Sequence, residues 1–281
     1  MKHPLSRSIV VLLWMVTSVI IGLTALPLIL LRAGAPKSIN PYLYIGIIVG
    51  LLLVSALAWF KMMQRYRPET VEYFFSIGIG LITGRVLALY VPVVGGQTWL
   101  GFFLRLAITV PAAYLFFLML KKMQSSWVWV RRLMFVSNFW MAFVISITAA
   151  LIAVDMAPWM AIVILAVASV YDAWAVWKSG TMVSMAKFFL DRRAIPGIAV
   201  PYKVGKEERF ALLGGGDIFF IVLVAASFYR VDVPTMVVTA VTMSLSVVLL
   251  MFLSQKQRFY PALPFIFAGL VIGLGIRFLV M

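Results

Sequence analysis

The sequence predicts an all-α membrane protein, a polytopic bundle of about nine transmembrane helices with the N-terminus cytoplasmic and the C-terminus outside. Three observations predict it. The 281 residues are 64% hydrophobic but only 12% charged, about half the charged share of an ordinary soluble domain. The apolar residues fall in unbroken runs, each near the ~20 needed to cross ~30 Å of hydrocarbon. The basic residues between those runs are distributed with a strong bias to alternate segments.

In chain order, the runs place spans at 9–31, 40–60, 72–93, 99–120, 133–154, 158–178, 211–229, 234–253 and 261–280. The first is too long for a cleaved signal peptide, and no small-residue cleavage site follows it. With the N-terminus inside, the inner segments hold eighteen Lys and Arg, including Lys61, Lys121, Arg132, Lys178, Arg193 and Arg209. The outer ones hold four: Arg32, Lys37, Arg230 and Arg277. That bias fixes the expected orientation and an odd number of spans. The segments form one membrane-embedded domain over 1–281: six spans in 1–178, a cytoplasmic loop at 179–210, and three spans in 211–281. Within the loop, 181–190 is apolar enough to lie as an interfacial helix. The stretch 192–206, with Pro196, Gly197, Pro201 and Gly205, should be extended or irregular.

Composition also removes chemistries. The net charge of +15 is accounted for by topology and contact with anionic lipid headgroups, so nucleic acid is not implied as a partner. There is no cysteine, so neither a thiol nucleophile nor a thiolate metal site can be built. The only histidine, His3, lies in the N-terminal tail, which excludes a serine–histidine site and a membrane HExxH zinc site. No cofactor and no metal are expected. Chemistry inside this membrane must use carboxylates, hydroxyls, or Lys and Arg.

Seven of the nine acidic residues read as solvated loop carboxylates: Glu69, Glu72, Asp191, Glu207 and Glu208 inside, Asp155 and Asp232 outside. Asp172 and Asp217 fall within spans, where a carboxylate costs ~2.5–3.5 kcal/mol on insertion scales and marks a functional site. Asp172 sits six residues before the inner end of the sixth span and Asp217 eight residues into the seventh. At 1.5 Å per residue both lie ~9–12 Å below the cytoplasmic face. Gly214, Gly215 and Gly216 precede Asp217 and let helix backbones approach. Two carboxylates in contact cannot both ionise cheaply; one keeps a proton while the other accepts one from water, and they titrate as a unit.

Tyr171-Asp172, the GxGD pattern Gly214-Gly215-Gly216-Asp217, and Pro261-Ala262-Leu263-Pro264 occur in that order on the sixth, seventh and ninth spans. Together they resemble the presenilin and signal peptide peptidase family of intramembrane aspartyl proteases, and in particular a presenilin-like microbial homologue. The resemblance implies that Asp172 and Asp217 are the catalytic pair and that Gly214 and Gly216 are the fixed glycines. Pro261, Ala262 and Leu263 would form the PAL element beside the site, with Tyr171 at its edge. Gly215 stands where the family commonly has leucine. The expected orientation and the PALP ending resemble the presenilin branch, since signal peptide peptidases are inverted. Single-chain relatives exist, so no accessory subunit is implied.

The expected function is therefore that of an intramembrane aspartic endopeptidase in the cell membrane, multi-pass, with transmembrane helices of other proteins as substrates. The substrate must unwind to expose its scissile carbonyl, and should pair in extended form with part of 192–206 or with the stretch before Pro261. Two alternatives use the same acids: a prepilin or preflagellin peptidase, and a proton- or cation-coupled transporter.

Overall fold

A chain segment in hydrocarbon must satisfy its own backbone, and a helix does so by bonding each N–H to the carbonyl four residues back. In the computed structural model, which describes residues 5–33, 46–47, 50, 54, 58, 61, 65–90, 99–204, 207–253 and 260–280, most of the apolar runs do this. The first forms α1 (Leu5–Thr24) and α2 (Leu26–Ala33), which break at Ala25 because Pro27 has no N–H to continue the ladder. Then come α3 (Pro68–Tyr90), α4 (Trp99–Ser125), α5 (Trp127–Val154) and α6 (Pro158–Trp174), the last running into a π-helical turn at Ala175–Ser179. The span expected at 40–60 lies largely outside the described residues.

The stretch 181–190 is helical, as α7 (Thr181–Asp191), after Gly180 at φ +65° turns the chain. Two antiparallel strands follow, β1 (Gly197–Val204) and β2 (Glu207–Gly214), in a register that pairs Gly197 with Gly214 and Ala199 with Leu212. The bundle is completed by α8 (Gly215–Ser227), α9 (Val233–Leu253) and α10 (Leu263–Val280). Seven helical segments among the described residues are long and apolar enough to cross a membrane; α8, with 13 residues, is shorter. This is the architecture of a polytopic membrane protein.

The hairpin corrects one expectation. The seventh span, read as a helix from residue 211, begins only at Gly215, because Ala211–Gly214 belong to β2. A short apolar run reads equally as buried strand or helix, and here pairing with β1 decided. The alternation of the strands is plain once they are paired. Ile198, Tyr202, Ala211 and Leu213 face a core shared with α1, α5, α8, α9 and α10, while Ala199, Phe210 and Leu212 face a second core of α3, α4 and α5. The hairpin is thus a slab between two apolar clusters.

Close packing elsewhere uses small residues. A side chain at Gly80 would meet Ala113 and the carbonyl of Thr109, which brings α3 against α4; one at Gly269 would meet the carbonyl of Thr242, which brings α10 against α9.

Glu72 also departs from expectation. It is no solvated loop acid: it lies on α3 with 1% of its surface exposed, 2.9 Å from the Lys121 ammonium and accepting a 2.9 Å hydrogen bond from Gln124. Both partners come from the end of α4, whose ammonium and amide reach over the start of α3 because a buried carboxylate needs them. Asp232, in the turn before α9, is bound to the Thr235 hydroxyl and, at 2.9 Å, to Arg277 of α10.

Candidate active site

The only described acids on the spans read as chemically active, Asp172 and Asp217, come from adjacent helices that pack together. Asp172 lies on α6 three residues before the π-helical turn and is 6% exposed. Its Oδ2 accepts a hydrogen bond of 3.1 Å from the backbone N–H of Leu263, and the N–H of Ala262 approaches the same carboxyl. The local reason is a helix start: the first N–H groups of α10 have no intrahelical acceptor. Pro261 and Pro264 carry no N–H at all, so Ala262 and Leu263 are the donors the Pro-Ala-Leu-Pro sequence leaves.

Asp217 is the third residue of α8 and only partly buried. The backbone N–H of Gly214 lies against its carboxylate, and the two carboxylates are within electrostatic reach of each other. A β-carbon placed on Gly214 would sit 3.0 Å from Asp217 Oδ2, so glycine is needed there for the acid to keep its position. Gly215 is closed in as well: a β-carbon would meet the Pro196 carbonyl and Ile145 Cδ1, each at 2.7 Å. Gly216 meets nothing, and the structure shows no steric reason for a glycine at that position.

Both acids line one cavity of about 560 Å³. Its wall is α6 on one side (Ile164, Val167, Tyr171), α7 and the approach to β1 on another (Met185, Phe189, Pro196), and the end of β2 with Gly214–Gly216 on a third. Ala262 and Leu263 close it; Pro261 is buried but does not line it. Tyr171 and Tyr260 add hydroxyl-bearing rings to an otherwise apolar lining. Among the described residues no three His, Cys, Asp or Glu side chains converge as metal ligands. The arrangement is an apolar chamber with two carboxyls and backbone donors at one end, suited to an extended apolar chain and a water.

The sequence reading missed three features. Asn138, on α5 and 3% exposed, accepts the N–H of Ala199 at 3.0 Å and donates to its carbonyl at 2.8 Å. Its one available signal was an amide inside an apolar span. Tyr260, next to the PALP run, reaches the cavity. Arg193, the only described non-glycine residue at positive φ (54°), donates to the Met123 carbonyl at 2.6 Å and to Glu208 at 3.0 Å; nothing in its type announced that turn.

No family model matches the chain, and no curated protein matches it. Solved structures do, two of them along nearly the whole chain. Each is described as a presenilin family intramembrane aspartate protease, one in a P2 and the other in a C222 space group. The first is 16% identical with a TM-score of 0.66 over 96% of this chain and 97% of that one. The second is 15% identical with a TM-score of 0.64 over 98% of this chain and 100% of that one. The chain has the overall fold of these presenilin-family structures over 96–98% of its length.

Proposed function

We propose that this protein is an intramembrane aspartic endopeptidase that hydrolyses peptide bonds within or near transmembrane segments of other proteins. One observation carries the reading: Asp172 and Asp217, from two packed helices, line the same apolar cavity beside backbone donors. The fold shared with presenilin-family intramembrane aspartate proteases supports it.

The pair would hold one proton between them. The ionised carboxylate takes a proton from a water whose oxygen bonds to the scissile carbonyl carbon. The protonated one hydrogen-bonds the carbonyl oxygen as charge develops there. Collapse of the tetrahedral intermediate breaks the C–N bond, and the amide nitrogen leaves with a proton returned by the pair. No metal or cofactor enters these steps.

The substrate must present an extended backbone. The sequence pointed to 192–206 or the stretch before Pro261 as its pairing partner; residues 254–259 lie outside the described ones. Within the hairpin, the outer edge of β1 is occupied at Ala199 by Asn138. We therefore assign the pairing to β2, whose Leu212 and Gly214 line the cavity.

Single substitutions Asp172→Asn and Asp217→Asn, assayed on a synthetic transmembrane peptide, test the function. Each should lower turnover by at least about 10²–10⁴-fold while the thermal unfolding midpoint holds. Cleavage by both variants at the unsubstituted rate would refute it.

A further inference from the structure

We infer that Asn138 is a positioning residue that closes the outer edge of β1 and fixes the phase of the hairpin, so that a substrate strand adds to β2 alone and in one register. The inference rests on the proteolytic reading and concerns how that site selects a bond.

In an antiparallel pair, a residue turns both its N–H and its C=O to the same side, and the next residue turns them to the other. Ala199 turns both towards α5, where one side-chain amide takes them together, at 2.8 and 3.0 Å. A side-chain amide carries a donor and an acceptor side by side without needing a proton from solution, matching a strand edge as another strand would. With Ala199 turned outwards, the register leaves Ile198, Val200 and Tyr202 bonding to Leu213, Ala211 and Arg209. Leu212 and Phe210, opposite Ala199 and Pro201, then point their backbone groups away from β1.

The two edges of the slab are unlike. On β1, the outward N–H of Gly197 is bonded to the Ile195 carbonyl at 2.9 Å, Ala199 is held by Asn138, and residue 201 is a proline with no N–H to offer. Such blocking is how proteins close a strand edge. On β2, the outward groups at Phe210 and Leu212 have no protein hydrogen-bond partner among the described residues, and Leu212 is in the cavity wall with Gly214, next to Asp217. The open edge is thus the one that leads to the acids.

Phase matters because a shift of one residue in a strand reverses every side chain and every outward carbonyl. If β1 slipped, the groups exposed on β2 would change from 210 and 212 to 211 and 213, and a different substrate peptide bond would meet the carboxylates. Asn138 is buried and does not line the cavity; it acts through the hairpin.

The test compares the full-length protein with Asn138→Ala and with Ala199→Pro, which leaves Asn138 in place but removes the N–H that it accepts. Products from a peptide with one transmembrane helix are mapped by mass spectrometry. Both variants should spread cleavage over neighbouring bonds and lower the rate at the principal bond by about ten- to a hundredfold. A purely structural loss would reduce product without moving the bond. Cleavage by either folded variant at the same single bond and rate overturns the inference while leaving the protease reading intact. An unsubstituted protein that cuts no transmembrane peptide overturns both.

Discussion

A β-carbon at residue 214 decides whether Asp217 stays where it is. Gly214→Ala puts a methyl 3.0 Å from Oδ2 of that carboxylate, so the acid must move by a few tenths of an ångström, and turnover should fall by about tenfold or more with little change in apparent KM. Gly216→Ala meets no neighbour and should change turnover by no more than about twofold. Steady-state kinetics on the two variants separates a steric requirement from a mere preference for glycine. The resemblance drawn from motifs treats Gly214 and Gly216 alike, whereas contacts single out Gly214 and Gly215. That Asp172 and Asp217 belong together was legible in the sequence, and they line one cavity, because a carboxylate in an apolar run is costly and therefore conspicuous. Asn138 and Glu72 were not: the first is a neutral amide in a helix that looks complete without it, and the second stands four residues from a helix start, where an acid needs no explanation. Removing the Glu72 carboxyl takes the ion-pair partner from Lys121 and one of two acceptors from Gln124, whose amide keeps only the Arg192 carbonyl at 3.0 Å. Glu72→Ala should therefore cost about 1–3 kcal/mol, read as a fall in the thermal midpoint of several degrees.

The long apolar helices could be read from the sequence to within a few residues, since their length and composition leave lipid as their only consistent surroundings. The hairpin could not. Its strands are eight residues each, and the partner that makes Glu207–Gly214 a strand lies in a stretch whose prolines and glycines indicate only that it is not helical. Where two elements are joined by a partly exposed charge pair, solution conditions reach the fold. The Thr235 hydroxyl and the Arg277 guanidinium hold the Asp232 carboxyl below the usual carboxylate range. A depressed folded-state value means that the contribution to stability is complete above the unfolded-state value, near ~3.9, and is lost as pH falls through the folded one. Thermal midpoints of the unsubstituted protein and Arg277→Gln should accordingly differ at neutral pH and converge in acid, as pH falls through the lowered folded-state value. A constant separation across that range would remove Asp232 as the cause.

Over the whole molecule, the basic residues predict that Lys122 and Arg230 lie on opposite sides of the bilayer. Because the chain has no cysteine, Lys122→Cys and Arg230→Cys each introduce a single reactive thiol. An impermeant maleimide added to intact cells should label the second and spare the first. The reverse pattern would invert the orientation, and with it the side from which water reaches the acids. The burial of α8 has a different bearing. Ile218 and Phe220–Ala226 are all 7% exposed or less, so this helix has almost no surface for lipid. Its neighbour α6 does: Val163, Val170 and Trp174, away from the cavity wall, are 39–73% exposed. When a membrane is thinner or thicker than its spans, the helices in contact with acyl chains tilt to compensate. A change in hydrocarbon thickness should therefore act on α6, which carries Asp172, more than on α8, which carries Asp217.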